Sequence, residues 1–275
     1  MGSEIEQTWA MATVQLANEG GKVGTGFFVA RQVEGGHRVF LVTNKHVVGK
    51  TAADRESAQK VEVGLNIKKD GRIEGKKVTY PIQDVNGKAI WREHPDPDVD
   101  VLALDATSIA LQLKDMSSKW VDYSLFIDEK KTLELDISMG DEVVVLGYPL
   151  GLSQSTSFLP MLKSGTLSSK LGLRIHEVVR AEDGSPRSRQ LPAFFVDGAI
   201  IPGSSGSPVV LKPVPGRIVK GNVVLGSPAP FLLGIISATK TFELETPGGP
   251  VVSIPGLAIA FDAHTIRDTI EAFFV

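Results

Sequence analysis

The sequence predicts an all-β protein: two consecutive six-stranded antiparallel barrels of chymotrypsin-like type, with a C-terminal α-helix. Three observations carry this. Short runs rich in β-branched and aromatic residues, among them FFVA, VFLVT, VVVLG and LLGIISAT, recur along the whole chain. Glycine (28 residues) and proline (16 residues) punctuate them at loop-like spacing. Helical patterning surfaces in only two places, around 107–130 and from Asp262 onward.

Taken in order, Val14 to Leu16, Gly26 to Ala30 and Val39 to Thr43 read as the first strands. VEVGLNI alternates strictly through Val61, Val63, Leu65 and Ile67, the mark of a half-buried strand. Asp70-Gly71 and Asn86-Gly87 accept the positive φ angles of tight hairpin turns. VTYPI and VLAL complete an N-terminal barrel which, with its linker, covers about 10–125. EVVVLGYP, SGTLSS, LRIHEVV, AFFVDG, SPVVL, FLLGIISAT and LAIAF then build a C-terminal barrel over about 130–261. In the final segment, 262–275, Asp262 is the candidate N-cap and Ile266, Ile270 and Phe273 recur at helical spacing. At 275 residues the whole reads as one domain.

Composition narrows the function. A net charge of -3 argues against nucleic acid or an anionic membrane as partner, since both call for a basic excess. There is no cysteine, so a disulfide framework, a thiolate nucleophile and a Cys-ligated zinc site are excluded. No apolar stretch approaches the roughly 18 residues of a membrane helix. The acidic N-terminus lacks the basic and apolar regions of a secretory signal, so a cytoplasmic location is expected.

The chemistry centres on PGSSGSPVV, where Ser204, Ser205 and Ser207 lie among glycines and a proline. A serine hydroxyl is a poor nucleophile unless a base lies within hydrogen-bond reach and a third group orients that base. Of the five histidines, His46 stands where the apolar strand Phe40 to Thr43 gives out. His37, His94, His176 and His264 fall in a turn, a proline-rich loop, a strand and a helix start. Asp96, Asp98 and Asp100 precede the apolar run Val101 to Leu104, and Asp100 adjoins it. A carboxylate there can be desolvated and held against an imidazole N–H. Only Ser205 has a glycine both two places before it, Gly203, and directly after it, Gly206. That spacing lets the chain turn tightly and aim two backbone N–H groups at one point. The G-x-S-x-G elbow of other serine hydrolases fails, because Ser207 and a strand-like run stand where glycine and a helix should follow.

The order His46, Asp100, Ser205 and the motifs around it resemble the chymotrypsin-fold serine peptidases, most closely the HtrA (Deg) branch of bacterial trypsin-like proteases. GTGFFVA, LVTNKHVV, DVDVLALD, VVVLGYPLGLSQSTS, SGTLSS, VDGAIIPGSSGSPVV, LLGIISAT and PGLAIAFDAHTIRDTIEAF match successive family segments from Val14 to Phe273. The resemblance implies His46 as general base, Asp100 as its orienter and Ser205 as nucleophile, with the N–H groups of Gly203 and Ser205 as oxyanion hole. Ala103 sits one place late in the Asp strand, which leaves Asp98 as the alternative to Asp100. Ser204 stands where the family usually carries Asp or Asn. A PDZ module is not expected to follow, and the HtrA likeness suggests trimers.

The same resemblance places the base of the P1 pocket at Ala199, with walls from Ser237, Ala238 and Thr239 and near Gly256. An uncharged base implies small or medium uncharged P1 side chains. The expected activity is endopeptidase, acting on protein or peptide through an acyl-enzyme without metal or cofactor. Two alternatives accompany it: an inactive pseudoprotease that binds protein, and an enzyme latent until a regulatory protein partner orders the oxyanion loop. The charged segment 181–190 and the proline-broken excursion 212–231 are longer than a minimal barrel needs, and gating or partner binding is a candidate role for both.

Overall fold

Apolar runs that do not alternate need cover on both faces, and that requirement decides how the two halves meet. The structure is a computed structural model that describes residues 5–112, 119–154, 156–180, 184–225, 229–240, 242–246, 249–253 and 256–275. The first half comprises β1 (Thr13–Ala17), β2 (Val23–Val33), β3 (Gly36–Thr43), β4 (Lys60–Lys69), β5 (Arg72–Pro81), β6 (Trp91–Glu93), β7 (Leu102–Asp105) and β8 (Val121–Asp122). The strand order is β5-β4-β1-β2-β3-β7-β6, with β8 laid parallel on β2. This half thus has eight strands where the sequence suggests six. β6 and β8 span three and two residues, too few for a periodicity to register.

The second half comprises β9 (Glu142–Gly147), β10 (Met161–Leu167), β11 (Ile175–Arg180), β12 (Pro186–Leu191), β13 (Ala193–Gly198), β14 (Pro208–Leu211), β15 (Gly216–Val219), β16 (Asn222–Leu225), β17 (Leu232–Thr239), β18 (Phe242–Thr246), β19 (Gly249–Ser253) and β20 (Leu257–Asp262). Six of these close the barrel β10-β13-β20-β17-β14-β9. The pairs β11–β12, β15–β16 and β18–β19 are separate two-stranded hairpins. The stretches 184–190 and 212–225 of the two long loops therefore belong to the hairpins β11–β12 and β15–β16. Asp70 and Gly71 both take positive φ, 49° and 77°, at the β4–β5 turn, as the sequence predicts.

Strand alternation sorts the side chains into three cores. Phe28, Ala30, Val39 and Leu41 fill the first half, while Val143, Val145, Val209 and Leu211 fill the second. Their neighbours Phe27, Val29, Phe40, Val42, Val144, Leu146 and Val210 point the other way, into a shared core between the halves. FFVA, VFLVT and VVVL are continuously apolar because each strand is covered on both sides. Trp9, on a helical turn over Ile5–Ala10 that the sequence pattern did not reveal, also enters this shared core.

The 107–130 segment is not one helix. The helices Thr107–Gln112 and Glu129–Glu134 are short and separated by β8, with 113–118 outside the described residues. The C-terminal helix (Ala263–Glu271) forms as expected and buries Ile266 and Ile270 in the shared core. Asp262 occupies its N-cap position, yet its side chain makes no capping bond. The carboxyl instead lines a cavity of about 560 Å³ beside Leu233, His264 and Arg267, and burial pushes its pKa up to about 7.

Because burial favours the neutral acid, the folded chain holds this proton more tightly than the unfolded chain does. The stability that goes with the neutral acid is complete below about pH 4 and is lost as pH rises through about 7. The helix N-terminus favours the anion and offsets part of the penalty. Asp262→Asn should therefore stabilise the protein by about 2 kcal/mol at pH 8, with the gain vanishing near pH 4. Urea unfolding of both proteins across that range checks this.

Candidate active site

β3 enters the interior from Val39 and ends at Thr43, and Asn44 stands at the N-cap of the short helix Lys45–Val48 into which the backbone turns. The turn lifts His46 clear of the strand while Val47 and Val48 anchor it in the first-half core. Asp100 lies on the loop entering β7, between the fully buried Val99 and Val101. These neighbours aim its carboxylate at His46. Oδ2 lies 2.6 Å from His46 Nδ1, and Oδ1 accepts the His46 backbone N–H at 3.2 Å. Asn44 Nδ2 donates to the Asp100 carbonyl at 2.6 Å, fixing the loop to the histidine turn. A carboxylate at Nδ1 keeps that nitrogen protonated and leaves Nε2 as a proton acceptor.

Asp98 points elsewhere. Its carboxylate pairs with Arg187 and, at 3.7 Å, with Arg189, both on β12. Arg189 also bonds Glu177, which pairs with Lys240. Burial acts to raise the Glu177 pKa, but bonds from Lys240 and Arg189 outweigh it and hold the carboxyl below its ordinary value. An ionic chain thus ties the β11–β12 hairpin to the Asp100 loop and to the end of β17.

Ser205 lies on the loop between β13 and β14. Ser204 donates its N–H to the Ile201 carbonyl at 3.1 Å, and Gly203 has φ 93°. That is a type II turn with Pro202 and Gly203 at its centre, the residues this turn favours. The Pro202 carbonyl accepts the Leu150 N–H at 2.8 Å. The planar trans peptide then directs the Gly203 N–H the opposite way. Among the described residues, neither this N–H nor that of Ser205 has an acceptor in the chain. Gly206 is needed on two counts: its φ is 87°, and a Cβ there would lie 1.8 Å from the Thr25 carbonyl oxygen.

The Ser205 hydroxyl donates to the Ser237 carbonyl at 3.1 Å, while the Ser237 hydroxyl donates to Asp100 Oδ2 at 2.7 Å. Ser205, Ser237, Asp100 and His46 are therefore linked through hydrogen bonds, although Ser205 and His46 do not bond each other directly. The family resemblance implied Ser237 only as a pocket wall, and its hydroxyl on Asp100 was missed. The available signal was a serine ending the apolar run LLGII. Ser207 is turned away, its buried Oγ packed where a Cβ on Gly147 would approach to 2.0 Å. Ser204 is buried as well.

The remaining expected residues gather at the same end of the second barrel. Ser237, Ala238 and Thr239 end β17, and Thr239 pairs with Ala258 on β20. Ala199 is exposed just beyond β13, and its carbonyl accepts Lys163 Nζ at 2.6 Å. Gly198 donates its N–H to the Gly256 carbonyl at 2.9 Å.

Two consecutive β modules with a histidine–aspartate pair on the first and a half-buried serine on a tight turn of the second define a chymotrypsin-like hydrolase. Residues 24–219 match the trypsin-like peptidase domain, and the chain belongs to that family. It is a trypsin-like serine protease. No curated protein sequence matches it. Among solved structures, the inactive form of the Rv3671c protease has a TM-score of 0.50 at 16% identity, covering 98% of this chain and 92% of that one. The active form of the M. tuberculosis Rv3671c protease has a TM-score of 0.50 at 15% identity, covering 95% of this chain and 80% of that one. At such identities these likenesses speak for the fold.

Gly206→Ala should cost about 2–4 kcal/mol of stability, because the added Cβ meets backbone on a positive-φ residue. Thermal unfolding measures this. Gly184→Ala, at another positive-φ glycine with nothing near its Cβ, should cost less.

Proposed function

We propose that the protein is a serine endopeptidase in which His46 is the general base, Asp100 orients it and Ser205 is the nucleophile. The observation that carries this reading is the Asp100 carboxylate, which holds His46 Nδ1 at 2.6 Å and the Ser237 hydroxyl at 2.7 Å. In the reaction, His46 Nε2 takes the Ser205 proton as Oγ attacks the substrate carbonyl, with the N–H groups of Gly203 and Ser205 receiving the oxyanion. His46 then returns the proton to the leaving amine, and an acyl-enzyme remains. Water, deprotonated by His46, hydrolyses that ester and frees Ser205. No metal or cofactor takes part in any of these steps.

A resting state belongs to the same proposal. The Ser205 hydroxyl donates to the Ser237 carbonyl at 3.1 Å, so it must turn toward His46 before attack. Such catalytic bonds are often loose without substrate. Binding of a peptide or a regulatory protein would supply the turn. Ala199, Ser237, Ala238, Thr239 and Gly256 would form the P1 pocket. With Lys163 Nζ at 2.6 Å from the Ala199 carbonyl, a cationic P1 side chain meets a like charge, which favours small or medium uncharged residues. The proposed setting is the cytoplasm, with protein or peptide as substrate.

Fluorophosphonate labelling of the wild type, Ser205→Ala and Ser207→Ala tests the assignment. Label should be lost in Ser205→Ala alone, with kcat falling by about 10⁶-fold. A wild type that takes no label would instead favour a protein-binding pseudoprotease. A panel of peptides differing only at P1 should show Lys and Arg among the poorest residues, and a preference for either would refute the pocket assignment.

A further inference from the structure

Two backbone amides flanking Ser205 can stabilise an oxyanion only if the loop that carries them keeps its shape. The loop itself has little side-chain bulk to hold it, being Pro202-Gly203-Ser204-Ser205-Gly206. What holds it from outside is Thr25, a fully buried residue on β2 of the other half. Thr25 uses every polar atom it has. Its N–H donates to the Ser205 carbonyl at 2.9 Å, and its carbonyl accepts the Thr43 hydroxyl at 2.7 Å. Its own hydroxyl donates to the Gly203 carbonyl at 3.1 Å and accepts the Tyr148 N–H at 3.1 Å.

The consequence for the loop can be followed peptide by peptide. The Pro202–Gly203 unit is held by its carbonyl on the Leu150 N–H. The Gly203–Ser204 unit is held at both ends: its N–H on the Ile201 carbonyl, its carbonyl on the Thr25 hydroxyl. The Ser205–Gly206 unit is held by its carbonyl on the Thr25 N–H and by its N–H on the Ile236 carbonyl. Gly203, free to adopt φ of either sign, is the weak point of the chain. Rotation about it would swing the Gly203–Ser204 peptide and spoil the turn that aims the Gly203 N–H. The Thr25 hydroxyl is the side-chain group that blocks this rotation. It simultaneously ties the loop to Tyr148 and so to the Leu150 segment, which fixes the preceding peptide.

We infer that Thr25 is the positioning residue of the oxyanion hole, its hydroxyl locking the Gly203–Ser204 peptide so that the Gly203 N–H stays aimed at the developing anion. This rests on the proposed Ser205 chemistry and adds to it a residue that touches neither substrate nor nucleophile side chain. Thr25 stands between Gly24 and Gly26, where added Cβ atoms would strike Val47 at 2.7 Å and the Val42 carbonyl at 2.9 Å, so the strand has no bulk to spare around it.

The test compares wild type, Thr25→Val and Thr25→Ser. Valine keeps the shape and removes the hydroxyl, leaving the Gly203 carbonyl and the Tyr148 N–H without it. Serine keeps the hydroxyl. With a cleaved peptide, Thr25→Val should lose at least about 10-fold in kcat with KM within about threefold, a partial loss of one oxyanion donor. Its affinity for a peptide boronate, whose tetrahedral oxygen occupies the oxyanion position, should fall in parallel. Thr25→Ser should restore both to within about threefold of wild type. Where Thr25→Val does not fold, Thr25→Ala removes the same hydroxyl and takes its place. A folded hydroxyl-less variant with wild-type kcat and boronate affinity would overturn the inference and leave the Ser205 assignment standing. A Thr25→Ser as impaired as Thr25→Val would also overturn it. A wild type that neither cleaves peptide nor takes up fluorophosphonate would remove the Ser205 reading and this inference together.

Discussion

The molecule depends on one contact between its halves, the hydrogen bond from the Thr25 N–H to the Ser205 carbonyl with Gly206 pressed against the Thr25 carbonyl. His46 and Asp100 belong to the first half and Ser205 to the second, and the proton transfer proposed between them tolerates displacements of well under an ångström. Two separately folded barrels could slide on an apolar interface, since hydrophobic burial is non-directional. Directed backbone bonds at the point where β2 meets the serine loop remove that freedom. A glycine at 206 is the condition for so close an approach, so a covalent constraint and a tertiary one are the same fact.

The apolar interface supplies the driving force that these few bonds orient. β2, β3, β9, β14, β17 and β20 each divide their side chains between a barrel interior and the shared core. A second clasp lies two strands away from Thr25, across β1. Phe158, from the loop before β10, lies over Gly64 and Gly75 of the first half, and Asn66 bonds both its N–H and its carbonyl. The C-terminal helix closes the shared core by burying Ile266 and Ile270. Polar bonds set register, while apolar burial sets strength.

The serine loop keeps its shape without an acidic residue at 204. Pro202 and Gly203 prefer the type II turn they adopt, the Leu150 N–H fixes one carbonyl and Thr25 fixes two others. Ser204 can therefore be a small buried side chain. On the opposite rim, Asp98, Arg189, Glu177 and Lys240 link the β11–β12 hairpin to the loop of Asp100. Partly exposed ion pairs of this kind contribute little stability each, so the network is better understood as holding loop geometry.

By itself the sequence determined the β class, the positions of the apolar strands, the Asp70-Gly71 turn, the C-terminal helix and the residue order His46, Asp100, Ser205. These are local signals: periodicity, turn chemistry and the glycines at 203 and 206 are written in neighbouring residues. Asp100 stood out because it adjoins the apolar run, yet the late Ala103 left Asp98 open as the alternative. Only tertiary structure turned one toward His46 and the other toward Arg187. The eight strands of the first half, the Ser237 hydroxyl on Asp100 and the Thr25 bonds to the serine loop were equally illegible. Each joins residues 137, 178 or 180 positions apart, or pairs strands too short to leave a pattern. Such contacts depend on how the two barrels dock, and no run of adjacent residues records that.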